Sequence, residues 1–339
     1  MLMGSLLTLV FNAVLILLLS PLSSAQKPRR WHMTQMVFSA GPQSRCPRAW
    51  WQRFLLRPLQ AQLARAIESR DSIRTCAALE EAKGRLLRFG PAYFERDSEP
   101  LARLCVSASE ALPPAVSYDV TVLAADLLGT LALSDGSETP LIELGALRLL
   151  VCAIRLVASA HDDDAVRRLC ETGWLGTELN CSGSLLSGIS NLVCGQDTDG
   201  FGRKAKAHEA GVIEAAILLM RAEADVSPTQ DEAMRLFASM MLGSEVDPDS
   251  VFWGADAMEM VEDTRRRRQQ LADSGAVVLA VQAMRRFPEL RGYAHQNPIG
   301  FSGGARMFLL GLRTSDGAGG LMRAFDEAGG DPAWLGGPQ

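Results

Sequence analysis

Aromatic side chains and strand-like patterns are what this sequence has least of. Only 6% of the 339 residues are aromatic, whereas 47% are hydrophobic, and Ala and Leu are the most frequent residues of that set. No stretch alternates apolar and polar residues between hairpin turns. Because strands draw on aromatic and β-branched residues, the composition argues against a β-rich domain and predicts closely packed helices.

Signatures of catalysis and of metal binding are also missing. The four histidines lie far apart, no HExxH motif occurs, and no two of the seven cysteines form a CxxC pair. Asp162–Asp164 follows His161, but acids favour the first turn of a helix, so we interpret this run as a solvated cap. Ser302–Gly304 lacks the frame of a phosphate loop. The sequence therefore predicts no catalytic residue, no cofactor and no metal site, and buried, reduced cysteines.

Acidic residues are absent from the start of the chain. Residues 1–67 hold eight basic residues and no acid, and the first acid is Glu68. The remainder holds 26 basic and 39 acidic residues. An acidic body of this kind argues against nucleic acid as a partner and leaves another protein as the expected one.

The N-terminus is apolar and allows several interpretations. Met1–Leu22 approaches the length needed to span a bilayer, and Leu6–Leu22 forms its most apolar part. Small residues before a cut after Ala25 resemble a secretory signal peptide. Basic residues follow the run and none precede it, which favours an anchor with the body in the cytosol. A third interpretation is that translation starts at Met33 or Met36.

Between this leader and the acidic body lies a basic segment, residues 26–67. Its Arg-rich, acid-free composition resembles an organellar transit sequence for a plastid or mitochondrion, or a disordered basic linker. The predicted organisation is therefore 1–25 signal peptide or anchor, 26–67 linker or transit segment, 68–330 helical domain and 331–339 flexible tail. Localisation at a membrane with the body in the cytosol is favoured over import into an organelle or entry to the secretory pathway.

The body is organised around Arg203–Gly243. A short polar helix is predicted over Arg203–Ala210, and Gly211 then takes the left-handed position that ends it. An apolar helix follows over Val212–Ala222. A third helix opens at Ser227, with Pro228 and Gln230 completing a capping box.

Similar corners recur along the chain, and their common pattern is an acid, a small or polar residue (Leu in the first corner), a glycine and two apolar residues. The corner glycines are Gly145, Gly173, Gly211 and Gly275. A partial copy occurs at Glu327–Gly330. Their steps of 28, 38 and 64 residues predict one shortened repeat and one insertion around Glu245–Asp263.

These corners, together with the phrase Ser190-Asn191-Leu192, resemble armadillo repeats over about residues 70–330. The resemblance implies an all-α, right-handed α-solenoid of degenerate armadillo-like repeats. In that family the third helices line a concave groove, and asparagines on them hold an extended peptide. Only Asn191 matches, because the equivalent positions hold Thr130, Ser239 and Gly311, so an intact asparagine ladder is not expected.

The run Arg265–Arg268 predicts either a docking site for an acidic partner or the exposed face of a first helix. Arg265, Arg266, Arg267 and Arg268 join Asn191 as candidate partner-binding residues. The resulting prediction is a non-catalytic scaffold or adaptor that binds another protein. The alternatives are a helical subunit of an enzyme complex, an enzyme with an unrecognised site, and a membrane-tethered adaptor.

Overall fold

A computed structural model describes residues 57–89, 98–111, 118–133, 136–160, 181–195, 198–242, 255–292, 303–314 and 319–335. All of these belong to the compact unit Arg48–Gln339. Within these ranges the chain is helical and contains no strand, so the all-α prediction is confirmed for the part that is described.

The helices are α1 (Arg57–Glu68), α2 (Ser72–Phe89), α3 (Ser98–Ala111), α4 (Tyr118–Leu131), α5 (Glu138–Glu143), α6 (Ala146–Ala160), α7 (Cys181–Leu192), α8 (Thr198–Glu209), α9 (Val212–Ala222), α10 (Ser227–Met241), α11 (Ala255–Asp273), α12 (Ala276–Arg286), α13 (Glu289–Gly292), α14 (Gly304–Thr314) and α15 (Gly319–Glu327). A 3₁₀ turn, Pro332–Leu335, follows α15.

Contacts between these helices run in three rows. The first row contains α5, α8, α11 and α15; the second contains α1, α3, α6, α9 and α12; the third contains α2, α4, α7, α10 and α14. Within each row, every helix contacts the next one. Each row takes every third helix or nearly so, and three successive helices, one from each row, are called a unit below.

Glycines make the corners between the first-row and second-row helices. Gly145, Gly211 and Gly275 have φ values of +93°, +78° and +85°, and each directly precedes a second-row helix. Gly329 has φ +72° just after α15. Side chains with a Cβ rarely adopt this region, so glycine is strongly favoured at these corners. Gly173 lies outside the described residues.

Small residues also let the third-row helices approach closely. A Cβ added to Gly188 on α7 would lie 2.7 Å from the Cα of Gly129 on α4. A Cβ on Gly304, at the start of α14, would lie 1.8 Å from the carbonyl oxygen of Asp231 on α10. These contacts are between backbones, which cannot move aside as a flexible side chain can. Glycine is therefore a packing requirement of this row.

Several predicted boundaries match and others do not. Val212–Ala222 is α9 as predicted, whereas α8 begins at Thr198, five residues before the predicted start. The predicted capping box at Ser227 is wrong. The N-cap of α10 is Val226 and makes no side-chain cap bond, and the hydroxyl of Ser227 donates to Glu289 instead. The amide of Gln230 donates to the carbonyls of Met220 and Glu223.

Two helices, α1 and α11, extend into segments that the sequence analysis does not assign to helices. Helix α1 takes up Arg57–Glu68, which the sequence analysis assigns mainly to the basic linker, and its Leu59 and Leu63 are buried against the core. Part of the predicted insertion, from Ala255 onwards, is the first half of α11. The apolar face formed by Leu59, Leu63 and Ala66 explains the difference at α1, because a basic helix can still bury one side.

The leader Leu6–Leu22, the cut after Ala25 and the alternative starts Met33 and Met36 lie outside the described residues. Among the helices that are described, none combines the length and hydropathy needed to cross a bilayer. The signal-peptide and membrane-anchor predictions concern the first 25 residues, which the described ranges do not include, so they stay predictions.

Candidate interaction surfaces

Asn191 lies in the last turn of α7, half-buried, on the third row. At the equivalent position of α4, the hydroxyl of Thr130 donates to the carbonyl of Asp126 at 3.0 Å. On α10 the hydroxyl of Ser239 donates to the carbonyl of Arg235 at 3.2 Å. Both hydroxyls are thus bonded within their own helices. A continuous ladder of amide side chains is not formed along this row.

Two clusters of charged side chains on the third row are largely buried. At the N-terminal end, Lys83 on α2 forms an ion pair with Asp126 on α4, and both side chains are largely buried. This pair links two neighbouring helices of the row, and each charge is compensated by the other.

The second charged cluster lies on α10 and combines two acids with one arginine. The carboxylate of Asp231 accepts the N–H of Ala305 at 3.2 Å, where α14 begins. Arg235 lies 3.8 Å from Asp231 and 3.7 Å from Glu232. Burial raises the pKa of both carboxyl groups, although Arg235 acts in the opposite direction. One oxygen of Glu232 is buried and finds no hydrogen-bond partner in the described part of the chain.

The four arginines of α11 do not form one exposed surface. Arg265 and Arg266 are exposed and pair with Glu262. Arg267 is fully buried, and its Nε donates to the carbonyl of Met240 at 3.1 Å. The prediction of a partner-binding role is therefore wrong for Arg267, whose guanidinium is enclosed by protein. Burial lowers its pKa to about 10, so it stays charged at neutral pH.

Arg267 and Arg268 instead cap the preceding third-row helix. Arg268 Nε donates to the carbonyl of Met241 at 3.0 Å, and Met241 is the last residue of α10. The final carbonyls of a helix lack intrahelical partners and carry partial negative charge. Two cationic side chains from α11 satisfy them here.

The same device occurs at the same place in the neighbouring units. Arg267 lies eight residues before its corner glycine, and so does Arg203, which donates to the carbonyl of Cys194 just after α7. The next residue, Lys204, is buried and donates to the carbonyl of Gly195 at 2.6 Å. In the earlier unit Ser137 takes this position and donates to the carbonyl of Leu131, the last residue of α4.

A second recurring position lies ten residues after each corner glycine. It is occupied by Arg155, Arg221 and Arg285, on α6, α9 and α12. Each guanidinium lies against the corner glycine of the next unit, within 4 Å of where its Cβ would be. Arg285 also donates to the carbonyl of Gly329. A cation placed at the end of a first-row helix interacts favourably with that helix's dipole.

A buried acid joins the second and third rows. Glu223, at the end of α9, accepts hydrogen bonds from the hydroxyls of Ser182 on α7 and Thr229 on α10. All three side chains are buried. This network fixes the angle between α9 and α10, since a buried carboxylate is costly unless its oxygens are bonded.

A cavity of about 480 Å³ opens between α9, α10 and α12. Its floor is apolar, formed by Met220, Leu279 and Ala283, and Arg285 and Arg286 lie at its rim. Arg286 pairs with Asp225, and both of these side chains are more than half exposed.

The cysteines that the structure describes differ in their exposure. Cys76 and Cys105 are buried, Cys181 is half-buried, and Cys152 and Cys194 are exposed. The prediction of buried thiols is therefore right for two of them and wrong for Cys152 and Cys194. Burial raises the pKa of Cys76 to about 12. No group of three potential metal ligands occurs in the described ranges.

The chain matches no family model, no curated protein and no solved structure. Interpretation of the surfaces therefore depends on the geometry of this chain alone.

Proposed function

We propose that this protein is a non-catalytic scaffold, an armadillo-like α-solenoid that binds another protein along its third row of helices. The observation that carries the proposal is the order of the helix contacts. Each helix touches the next helix of its own row, and a solenoid is distinguished by units that contact only their neighbours. The armadillo-like form of the repeat rests on the glycine corner between the first and second helices of each unit.

Three recurring features at fixed distances from the corner support the solenoid. The corner glycine has positive φ, a side chain eight residues earlier caps the preceding third-row helix, and an arginine ten residues later meets the next corner. The described corners at 145, 211, 275 and 329 are 66, 64 and 54 residues apart. The first of these steps spans Gly173, which lies outside the described residues, and all three steps are longer than about 40 residues.

The third row is the proposed binding face because a solenoid presents a long, continuous surface rather than one enclosed pocket. On this row Asn191 and Ser239 are half-buried and Arg306 is exposed. The polar groups are not a repeated asparagine ladder, so the partner is expected to be held by a few individual contacts.

Site-specific photo-crosslinking in cells tests this proposal. A benzophenone side chain is placed at position 191 or 306 of the full-length chain, and in a matched control at Lys206, which is exposed on the first-row helix α8. We expect both third-row positions to capture the same polypeptide and position 206 not to capture it. Capture at Lys206 alone, or capture at none of the three positions, would contradict the proposal.

We also propose that Leu6–Leu22 tethers the scaffold to a membrane with its repeats in the cytosol. The charge distribution supports this, because basic residues follow the apolar run and none precede it. Protease protection on microsomes that carry the full-length chain tests it. Digestion of the body from outside is expected. Full protection, with a mature chain that begins at Gln26, would reject the anchor in favour of a cleaved signal peptide.

A further inference from the structure

The cavity between α9, α10 and α12 is lined mainly from the second-row side, and Gln230 is the one lining residue from the third-row helix α10. Its floor consists of Met220, Leu279 and Ala283. Two large apolar side chains, Leu218 on α9 and Val278 on α12, are 45% and 38% exposed on the same two helices. Most apolar residues of these helices are buried, so this exposure is confined to their outer face.

The charges around the cavity are predominantly positive. Two arginines, Arg285 and Arg286, line the cavity and no acid in the described part of the chain lines it, although the net charge of the chain is −5. Of the acids nearest in the chain, Glu223 is buried and accepts from the hydroxyls of Ser182 and Thr229. Asp225 pairs with Arg286, and Glu289 accepts from Ser227. A local excess of arginine beside an apolar depression selects a partner with the opposite charge.

We propose that this cavity is a second interaction site, which binds a short acidic segment of another protein. An apolar side chain of the segment enters the cavity and contacts Met220 and Leu279. A carboxylate next to it contacts Arg286, whose planar guanidinium suits a carboxylate. Gln282, exposed in the lining, supplies an amide for the backbone of the segment.

Arg286 pairs with Asp225, and an incoming carboxylate can displace Asp225 with little loss of free energy. Both side chains are exposed, at 53% and 73%, and exposed ion pairs contribute little to stability. The incoming carboxylate takes the place of Asp225 at the guanidinium. Asp225 is therefore a built-in competitor, and its removal should strengthen binding.

A peptide array provides the first test. Full-length protein is applied to immobilised nonapeptides in which two adjacent central positions, within a Gly-Ser background, carry every pair of amino acids. We expect retention on peptides with a large apolar residue beside Asp or Glu. Retention on basic peptides, or on none, would overturn the proposal.

Variants then locate the site, with a fluorescein-labelled copy of the strongest acidic array peptide and fluorescence polarisation as the readout. Arg286→Gln should weaken binding about five- to tenfold, because one charge-assisted contact is lost. Asp225→Asn should strengthen it. Arg103→Gln is the matched control, an exposed arginine paired with Glu99 on α3 in the same row, and it should change nothing.

A further variant fills the cavity without changing its charges. Ala224 is exposed and lines the cavity, so Ala224→Trp should block the peptide and leave the helical content of the protein unchanged. Equal weakening by Arg286→Gln and Arg103→Gln, or full binding by Ala224→Trp, would overturn the proposal. None of these changes touches Asn191 or Arg306, so failure here is distinguishable from failure of the third-row proposal.

Discussion

The close approach of α4 and α7 predicts a large difference between two chemically identical substitutions. Gly188→Ala would place a Cβ 2.7 Å from the Cα of Gly129, and carbon atoms in contact prefer about 3.5–4.0 Å. Because backbone faces backbone, the helices must separate, and overpacking of this kind costs about 1–3 kcal/mol. Gly84→Ala on α2 meets nothing within 4 Å and should gain about 1 kcal/mol of helix propensity.

The difference between the two variants is therefore about 2–4 kcal/mol in the free energy of unfolding. It can be measured by urea denaturation of the full-length protein, followed by circular dichroism at 222 nm. Gly84→Ala should shift the midpoint to higher urea and Gly188→Ala to lower urea, with similar slopes. A Gly188→Ala variant as stable as the wild-type protein would refute the close packing of the third row.

Three further predictions concern single residues. Gly211→Val should destabilise by more than about 1 kcal/mol in thermal unfolding, because a β-branched residue resists φ +78°; an unchanged melting temperature would count against the corner. Arg267→Met should lose about 1–3 kcal/mol by leaving the carbonyl of Met240 unbonded, whereas Arg266→Met should lose almost nothing. Equal losses would refute the capping role. Burial raises the pKa of Glu232 above its ordinary 4.5, so folding favours its protonated form. That contribution to stability is complete below the ordinary pKa and is lost as pH rises through the raised value. Glu232→Gln should therefore raise the melting temperature at pH 7 and have little effect below about pH 4; a lower melting temperature at pH 7 would contradict this.

The helical architecture could be predicted because local signals and tertiary packing agree over much of the chain. The apolar spacing of Val212–Ala222 and the glycine at 211 fix both ends of α9. At Ser227 the local signal fails, because tertiary contacts direct Gln230 to the carbonyls of Met220 and Glu223. A capping box read from four residues cannot anticipate that competition.

The candidate sites were less predictable for a different reason. The run Arg265–Arg268 consists of four arginines, so residue type does not distinguish them. Which of them are buried depends only on the rotation of α11 about its axis relative to α10. The cavity beside Arg286 depends on the distance between α9 and α12, which no local pattern encodes. The sequence did contain a pattern that indicates the arginine contacts at the corners: an arginine follows the corner glycines 145, 211 and 275 by ten residues.

The most direct test of the solenoid uses residues seven positions after successive corners. Cys152, Leu218 and Gln282 are exposed on α6, α9 and α12. Spin labels at Cys152, Leu218→Cys and Gln282→Cys, in a background whose other cysteines are replaced by alanine, report distances by electron paramagnetic resonance. Packed helices lie about 8–10 Å apart, so the account predicts two similar single steps and a 152–282 distance about twice as long. A 152–282 distance no longer than either single step would contradict the solenoid.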